Sequence, residues 1–528
     1  MTQVCVAALN DLKAQRYFKT VIGSQAVRKS AWAQLTLLLS SSSSPSKCKL
    51  IPSLFFFFLP TMHPILKTLF FLPFFTLSVL SHLFSPPDNH LINCGSTVPT
   101  TLIDNRAFAG DLAGKHPSFS SSPNAVSLRN DNVSPGLPPI YNTARVFTTP
   151  ARYTFPIRDK GTHMVRFHFY PFNSSNLDLG RAQFHILVDG YVVLSNFSRF
   201  VGGSQRNPRI VEYLIWVDAE RLVIMFVPNR DSKLAFVNAI EVISAPKDLI
   251  PDTAKYLISG KVENFNGLNK QALEVVYRVT VGGPKVTPFN DSLSRTWGPD
   301  DEFFKSSVVS EKLYFGGRIK YHVGGASREV GPDNVYNSAR LIRSKNDSVP
   351  NVNMTWVFPV VGGYKYLVRL HFCDIASISL GLLYFNVYVN GYLAFEDLDL
   401  SYVTNSLASP FYADFVVDGD GNGGALSVSV GPSKSSIPHV IDGILNAVEV
   451  MKLNNSHYSL DGDVCVGSVL KSWSTGNTGI LFTLLAALCI VLSLAIVIHR
   501  KLIGVRESVS WSRLPVNSSD GSVKIDNI

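Results

Sequence analysis

Short segments of alternating apolar and polar residues dominate the chain between residues 90 and 455. In the segment 165–169, VRFHF, a valine and two phenylalanines alternate with Arg166 and His168. A period of two is typical of a β-strand that buries one face. Further strand candidates are the segments 184–188, 221–228, 385–389 and 426–432.

Two of these strands end in dipeptides that favour tight hairpins. Asp189-Gly190 follows the segment 184–188, and Asn390-Gly391 follows the segment 385–389. Both dipeptides tolerate positive φ at the two central positions of a hairpin turn. Since no long amphipathic helix stands out between residues 90 and 455, the pattern predicts an all-β fold of sandwiches with loops at their ends.

Five sequence blocks occur twice, in the same order and at offsets between 189 and 208 residues. The pairs are RAFAGD (106–111) and RTWGPD (295–300), IYNTAR (140–145) and VYNSAR (335–340), VRFHF (165–169) and VRLHF (368–372), FHILVDGY (184–191) and FNVYVNGY (385–392), and NAIEV (238–242) and NAVEV (446–450). The repeat predicts two homologous β-sandwich domains, at residues 88–246 and 256–452.

A continuous apolar segment follows the repeats. Residues 480–498 contain no charge, proline or glycine, and as a helix they would be about 28 Å long, close to the hydrocarbon thickness of a bilayer. The basic residues His499, Arg500 and Lys501 follow directly, which indicates the cytoplasmic side. We therefore predict a stalk at 453–478, a transmembrane helix at 479–498, a short cytoplasmic tail at 499–528, and a single-pass type I protein of the plasma membrane with an extracellular body.

The N-terminal region fits the same topology. Residues 62–86 combine one lysine, an apolar core and a Ser/Pro-rich exit, as a secretory signal peptide does. Residues 1–61 are predicted to be an upstream leader or the result of a start placed too early. The alternative is a retained membrane segment at residues 50–84.

Charge and glycosylation motifs agree with an extracellular body. The formal net charge of +9 resides in the two ends, and the region between them is neutral, which argues against a polybasic nucleic-acid-binding protein. The three cysteines of this region, Cys94, Cys373 and Cys465, allow one disulfide with a thiol left over, or an intermolecular bridge. Predicted N-glycosylation sites are Asn132, Asn173, Asn196, Asn290, Asn346, Asn353 and Asn454.

The repeated blocks resemble a known family. The pairs YNTAR/YNSAR, VRFHF/VRLHF, VDGY/VNGY and NAIEV/NAVEV, the segment 274–283 and the tail segment 511–515 are similar to the tandem malectin-like ectodomain of plant receptor-like kinases of the FERONIA/THESEUS group. The resemblance covers about residues 90–515. That family continues into a protein kinase, whereas this sequence stops at Ile528 and contains none of the kinase motifs, so we predict that the chain is not an enzyme.

The resemblance implies a cell-surface receptor-like protein that binds cell-wall carbohydrate of the pectin type, secreted signalling peptides, or both. The resemblance also implies a lipid-anchored co-receptor. A kinase-bearing receptor is a further predicted partner, because the predicted tail contains no catalytic chain, and neither nucleic acid nor a cofactor is predicted. One alternative is a truncated form of a transmembrane receptor serine/threonine kinase, which transcript sequencing beyond the codon for Ile528 would reveal. A more remote alternative is an extracellular carbohydrate-active enzyme, for which the sequence offers no defensible acid pair.

Candidate carbohydrate-binding residues also follow from the resemblance. Tyr141 and Tyr336 occupy the blocks similar to a sugar-contacting tyrosine of malectin, and Arg145 and Arg340 follow four residues later, where they would pair with uronate carboxylates. The alternative is structural: core tyrosines, and arginines in buried ion pairs with Asp111 or Asp300.

Other chemical motifs favour structural roles. The loop 418–424, DGDGNGG, partly matches both a dinucleotide fingerprint and a calcium loop, but it lacks the surrounding elements of either and is predicted to be a long hairpin loop without metal. His168 and His371 alternate with core positions and are predicted to be structural, and Glu241 and Glu449 lie inside strands, so no catalytic residue is predicted.

Overall fold

The structure, a computed structural model, describes residues 84–112, 125–174, 177–197, 207–258, 260–305, 310–322, 325–343, 352–419, 423–473 and 477–504. The predicted leader, nearly all of the predicted signal peptide, and residues 505–528 lie outside the described residues.

The first half of the described chain is built from fifteen strands. They are β1 (Asn89–Asn93), β2 (Thr100–Thr101), β3 (Ala107–Gly110), β4 (Ala125–Arg129), β5 (Thr143–Phe147), β6 (Ala151–Pro156), β7 (Gly161–Phe169), β8 (Asn173–Ser174), β9 (Leu177–Asp178), β10 (Phe184–Val188), β11 (Tyr191–Leu194), β12 (Arg209–Val217), β13 (Arg221–Pro228), β14 (Ala235–Val237) and β15 (Ala239–Ser244).

The second half adds fourteen strands and four helices. The strands are β16 (Thr253–Ile258), β17 (Lys261–Asn266), β18 (Leu273–Thr280), β19 (Gly298–Pro299), β20 (Glu311–Tyr314), β21 (Ser338–Arg343), β22 (Met354–Pro359), β23 (Lys365–Cys373), β24 (Phe385–Val389), β25 (Tyr392–Leu398), β26 (Pro410–Asp418), β27 (Ala425–Pro432), β28 (Ile441–Leu445) and β29 (Ala447–Leu453). The helices are α1 (Asp333–Tyr336), α2 (Leu400–Thr404), α3 (Val466–Lys471) and α4 (Asn477–Gly504).

The predicted all-β class is confirmed, and the two halves repeat the same arrangement of strands. Sheet β11-β10-β13-β6 of the first half corresponds to sheet β25-β24-β27-β22 of the second. Sheet β14-β5-β4 corresponds in the same way to β28-β21-β20. Each set packs its apolar face on a separate core, with Phe167 and Phe226 in the first and Trp356 and Phe385 in the second.

One large sheet runs through both halves. Its strand order is β17-β16-β26-β23-β29-β18-β12-β7-β15-β1-β3-β2, with β19 beside β18. The halves meet where β12 pairs antiparallel with β18, through Tyr213 opposite Glu274 and Leu214 opposite Leu273. The two sandwiches are thereby joined through backbone pairing as well as through side chains.

The local strand predictions agree with the structure, except for the burial of one strand. The turns Asp189-Gly190 and Asn390-Gly391 join β10 to β11 and β24 to β25, with positive φ at all four residues. The alternation in the segment 165–169 predicts one buried face, but β7 is buried on both faces. The prediction was wrong there because Arg166 and His168 lie in a covered polar network.

The segment predicted as a stalk, 453–478, contacts the first sandwich over its described part. The backbone N–H of Leu460 donates to the carbonyl of Val192 at 2.8 Å, and Trp473 donates its indole N–H to the carbonyl of Pro228. Val469 of α3 packs in a small apolar cluster with Val192. Because valines of this segment bury themselves on β10, β11 and β13, the chain up to Trp473 does not stand free of the body.

Helix α4 contains the predicted membrane span. Among the described residues, its segment Phe482–Leu502 is long and apolar enough to cross a bilayer, judged by length and composition. It includes most of the predicted span 479–498.

Candidate functional site

The two predicted tyrosines lie in matching buried triads. The hydroxyl of Tyr141 lies 2.9 Å from Nδ1 of His168, whose Nε2 lies 2.8 Å from a carboxylate oxygen of Glu241. Tyr336, His371 and Glu449 repeat this arrangement at 2.9 and 3.1 Å. Since a carboxylate only accepts, Nε2 of a neutral imidazole must donate to it, and Nδ1 then accepts from the tyrosine hydroxyl.

These triads are closed to ligands. Tyr141 is 3% exposed and Tyr336 is 0% exposed, so neither ring offers a face on which a sugar could stack. Burial lowers the pKa of His371 even though Glu449 opposes the shift, which keeps the imidazole neutral at pH 7. The geometry favours the structural alternative for both histidines and both tyrosines.

The two predicted arginines form ion pairs with buried aspartates. Arg145 Nε lies 3.7 Å from Asp111, and Arg340 Nε lies 2.5 Å from Asp300. Both aspartates also accept from the backbone N–H of a glycine, Gly95 in one half and Gly282 in the other. The arginines are 7% and 6% exposed, so their guanidinium groups neutralise carboxylates of the protein itself.

The glycines of this motif are required by the close approach of two strands. Gly95 has φ +78° and Gly282 has φ +70°, values that L side chains rarely adopt. A Cβ atom at either position would collide with the backbone oxygen of Ala144 or Ala339. The repeated block that contains the alanine, at residues 140–145 and 335–340, therefore makes the same close backbone contact with a glycine in both halves.

A row of alternating charges crosses the large sheet through both sandwiches. Seven residues on seven successive strands make up this charge ladder: Asp414, Arg369, Glu449, Arg278, Glu212, Arg166 and Glu241. Their side chains are at most 10% exposed. Arg106 adds a fourth positive charge at Glu241, 2.6 Å away, and is also paired with Asp104 at 2.8 Å.

Arg278 connects the two halves of the ladder. It lies in β18 and donates to Glu449 of the second sandwich at 2.8 Å and to Glu212 of the first at 2.7 Å. Arg166 of the first sandwich donates to Glu212 at 2.5 Å and to the carbonyl of Leu293, beyond β18, at 2.9 Å. These contacts surround the short β12–β18 pairing with buried ionic hydrogen bonds.

The electrostatics of the ladder follow from its geometry. Burial opposes ionisation of Glu212, but Arg166 and Arg278 outweigh it and lower the pKa of Glu212 to about 2. Burial likewise opposes ionisation of Glu241 and Glu449, and the adjacent Arg166 and Arg278 hold both pKa values far below the ordinary value. The carboxylates of Glu212, Glu241 and Glu449 are therefore ionised at neutral pH, and the neighbouring arginines neutralise their charge.

A surface groove of about 340 Å³ opens where both sandwiches meet the segment after β29. This groove is lined by Tyr191, Phe265, Lys270, Gln271, Lys365, Leu453, Asn454, Asn455, Ser456 and Tyr458. None of the four predicted carbohydrate-binding residues lines it.

Other predicted sites are distributed over the surface. Asn132, Asn173, Asn290 and Asn353 are exposed, Asn196 and Asn454 are half-buried, and Asn346 lies outside the described residues.

Within the described part of the chain, no group of three or more His, Cys, Asp or Glu side chains has a metal-binding arrangement. In the loop 418–424, Asp418 accepts from Tyr256 and Lys365 at 2.9 and 2.6 Å, and residues 420–422 are not described.

The cysteines are unpaired in the described residues. Cys94 and Cys373 are buried in different sandwiches, and Cys465 is exposed at the start of α3. Burial raises the pKa of both buried thiols. Cys94 and Cys373 therefore behave as core residues.

Sequence reasoning missed three ladder residues, Glu212, Arg278 and Asp414, which lie outside the five repeated blocks. Arg278 has no counterpart in the first half, because it stands opposite Glu449 where the first half places Leu91 opposite Glu241. The available signal was the arginine inside the apolar β-prone run VVYRVTV. A charge at such a position requires a buried partner.

Comparison with known proteins identifies the family. The model described as "Malectin-like domain" matches residues 92–453, and the chain belongs to this family. Its homologues are receptor-like kinases of the FERONIA/THESEUS type.

Two relatives from Arabidopsis thaliana illustrate the extent of the match. A receptor-like protein kinase is 42% identical over 73% of this chain and 46% of its own length. Receptor-like protein kinase THESEUS 1 is 39% identical over 78% of this chain and 47% of its own length. The chain spans about half the length of the curated relatives it matches.

A solved structure supports the fold. The crystal structure of the plant peptide RALF23 in complex with FER and LLG2 contains a chain that is 31% identical, with a TM-score of 0.61, and the match covers 72% of this chain and 98% of that one. The predicted family is therefore confirmed from sequence and structure.

Proposed function

We propose that this chain is a single-pass receptor-like protein of the plasma membrane whose extracellular body binds a secreted signalling peptide together with a lipid-anchored co-receptor. The likeness to FER, which was solved with the peptide RALF23 and with LLG2, carries the proposal. In the part of the chain that the structure describes, one candidate membrane helix follows the β-sandwiches, and the basic residues at its C-terminal end support the proposed orientation.

The architecture suits a binding role. The charge ladder and the β12–β18 pairing hold the two sandwiches against each other, so loops from both present a preorganised surface. A rigid surface reduces the entropic cost of binding a flexible peptide. The side chains of the Tyr-His-Glu triads and of the charge ladder are buried and already paired with one another. Because they are not available to a substrate, this part of the chain is better suited to binding than to catalysis.

Signalling by this body requires a catalytic partner or a catalytic continuation of the chain. We propose that a kinase-bearing receptor supplies the phosphoryl transfer when the chain acts as the 528-residue protein. The relatives are about twice as long as the matched region and are named receptor-like protein kinases, which supports kinase activity as the signalling step.

The peptide proposal predicts a co-receptor-dependent affinity. We expect RALF-type peptide to bind the full chain displayed on cells saturably, and to bind more tightly when the lipid-anchored co-receptor is co-expressed, because two surfaces then contact one ligand. Fluorescent peptide titration measures both affinities. Cells that display residues 477–528 behind an unrelated ectodomain provide the control, and equal peptide binding to both cell types would contradict the proposal.

Cell-wall carbohydrate of the pectin type is the second proposed ligand, supported by the resemblance of the body to malectin. The burial of Tyr141, Tyr336, Arg145 and Arg340 argues that such a ligand would contact other residues.

Conservative variants of Tyr141 and Tyr336 test whether these tyrosines contact a carbohydrate ligand. Tyr141→Phe and Tyr336→Phe each remove the hydroxyl bonded to a buried histidine, so we expect each to lower the free energy of unfolding by about 1–3 kcal/mol. We expect oligogalacturonide binding to stay unchanged, since neither ring reaches the surface. Thermal unfolding and calorimetric titration measure the two effects. Lost binding with unchanged stability would return the tyrosines to the carbohydrate site.

A further inference from the structure

The groove between the sandwiches contains a complete glycosylation sequon in its wall, Asn454-Asn455-Ser456. We propose that the oligosaccharide N-linked to Asn454 folds back into this groove, and that its first N-acetylglucosamine packs against Tyr191 and Tyr458. The sugar then occupies a space bounded by both sandwiches.

The amide of Asn454 can carry a sugar without losing its structural hydrogen bonds. Its Oδ1 accepts from the backbone N–H of Ala272 at 2.9 Å, and its Nδ2 donates to the carbonyl of Asn455 at 3.0 Å. Only one of the two Nδ2 hydrogens makes that bond. In the transfer, Nδ2 bonds to C1 of the sugar, the bond from C1 to the diphosphate of a lipid-linked oligosaccharide breaks, and the second amide proton passes to the departing lipid diphosphate.

The groove presents aromatic rings of the kind that hold sugars. The ring centroids of Tyr191 and Tyr458 lie 5.8 Å apart in an edge-to-face arrangement, and Phe265 also lines the groove. Apolar CH faces of a sugar pack on such rings, while its hydroxyl and acetamido groups require polar neighbours, which Lys270 and Gln271 supply. The volume of about 340 Å³ lies at the lower end of the range for small-ligand sites and suits one or two sugar units.

The backbone conformation of Tyr458 keeps its ring exposed to solvent. Tyr458 has φ +56°, a rare conformation for an aromatic residue, and is 61% exposed. Its N–H donates to the carbonyl of Asn455, and Oδ1 of Asn455 accepts from the N–H groups of His457 and Ser459 at 3.0 Å. Backbone strain that a turn enforces in this way is a feature of ligand-contacting segments.

The proposal has a structural consequence. The lining residues come from β11 of the first sandwich, from β17 and the turn that follows it, from β23 of the second sandwich, and from the end of β29 and the segment after it. A sugar seated there contacts both sandwiches at once and closes the groove to outside ligands.

Site-resolved release of glycans from the native protein tests the proposal. The full chain is produced in a plant secretory host and treated with a peptide N-glycosidase in heavy-oxygen water, and released sites are read by mass spectrometry. We expect Asn454 to be occupied, and its glycan to be released about tenfold more slowly than those at the exposed sites Asn132 and Asn290, which corresponds to about 1.4 kcal/mol of protection. After denaturation, all three should be released at the same rate.

Variants of the groove separate packing from occupancy. Tyr458→Ala should remove most of the delay and leave occupancy of Asn454 unchanged, whereas Tyr458→Phe should retain the delay. An unmodified Asn454, native release as fast as at Asn290, or a delay that survives Tyr458→Ala would each overturn the proposal.

Discussion

Replacement of Arg278 by methionine is expected to lower the free energy of unfolding by about 3–5 kcal/mol, because the substitution leaves two buried carboxylates short of a partner. Arg278 is the residue through which Glu212 of the first sandwich and Glu449 of the second share one guanidinium, at 2.7 and 2.8 Å. The methionine keeps much of the side-chain volume, so the effect reports the lost charge. Denaturant titration of the full chain in detergent, followed by the fluorescence of the buried Trp297 and Trp356, measures it.

An exposed ion pair supplies the matched control. Arg181 lies 3.3 Å from Asp178, with the side chains 86% and 42% exposed. Arg181→Ala is expected to change stability by less than about 1 kcal/mol, since solvent screens such pairs. An Arg278→Met variant as stable as Arg181→Ala would contradict the role of the ladder.

A double-mutant cycle locates the coupling between the sandwiches. In the Arg278→Met background, Glu212→Gln removes one of the stranded charges, so its cost should be smaller than in the wild type, by more than about 1 kcal/mol. Additive effects would show that Arg278 and Glu212 do not act on each other.

Acid is expected to destabilise the body in two stages. His371 has a pKa lowered by burial from its ordinary 6.5, so below that pH the unfolded chain binds a proton that the folded chain does not, and stability begins to fall. The larger loss follows between about pH 4.5, where glutamates of the unfolded chain protonate, and about pH 2, the folded pKa of Glu212. Glu241 and Glu449, whose pKa values are also lowered, add to the loss in the same direction.

The sign of this dependence follows from linkage. A carboxylate with a lowered folded pKa contributes its stability fully above the unfolded pKa and loses it as the pH falls through the folded pKa. For Glu212 alone, the shift from 4.5 to about 2 corresponds to a contribution on the order of 3 kcal/mol. Unfolding free energies measured by denaturant titration from pH 7 to pH 2 give the profile.

Two glutamine variants distinguish the ladder from the surface. Glu212→Gln is expected to flatten the slope between pH 4.5 and 2, whereas Glu263→Gln, at an exposed position of β17, should leave it unchanged. A wild-type profile that stays level down to pH 2 would rule out the ionised ladder.

The sequence predicted local features of the fold because they depend on near neighbours along the chain. Strand formation at β7 and β10 and the Asp-Gly and Asn-Gly turns follow from local backbone geometry, and the structure contains these strands and turns where predicted. The repeat predicted matching elements in the two halves, since blocks that recur in order imply the same strands. The four-stranded sheets of the two sandwiches correspond strand by strand, and so do their three-stranded sheets.

The candidate site was harder to predict because its chemistry depends on partners far apart in sequence. Tyr141 and Arg145 have residue types that suit sugar binding, and only their neighbours His168 and Asp111 reveal that their polar groups are already occupied. The segment after β29 was predicted as a stalk from its position before the apolar span, whereas its valines pack on β10, β11 and β13.

The sequence by itself determined the β class, the duplication, the hairpin turns and an apolar span of membrane-crossing length, because periodicity and turn chemistry are local properties. Tertiary structure alone decided that the polar face of β7 is buried, that Arg278 joins two carboxylates from different sandwiches, and that the sequon at Asn454 faces a groove. The physical reason is that burial and ion pairing depend on which strands become neighbours in the sheet. That order brings Glu212 and Glu449 to one arginine although 237 residues separate them along the chain.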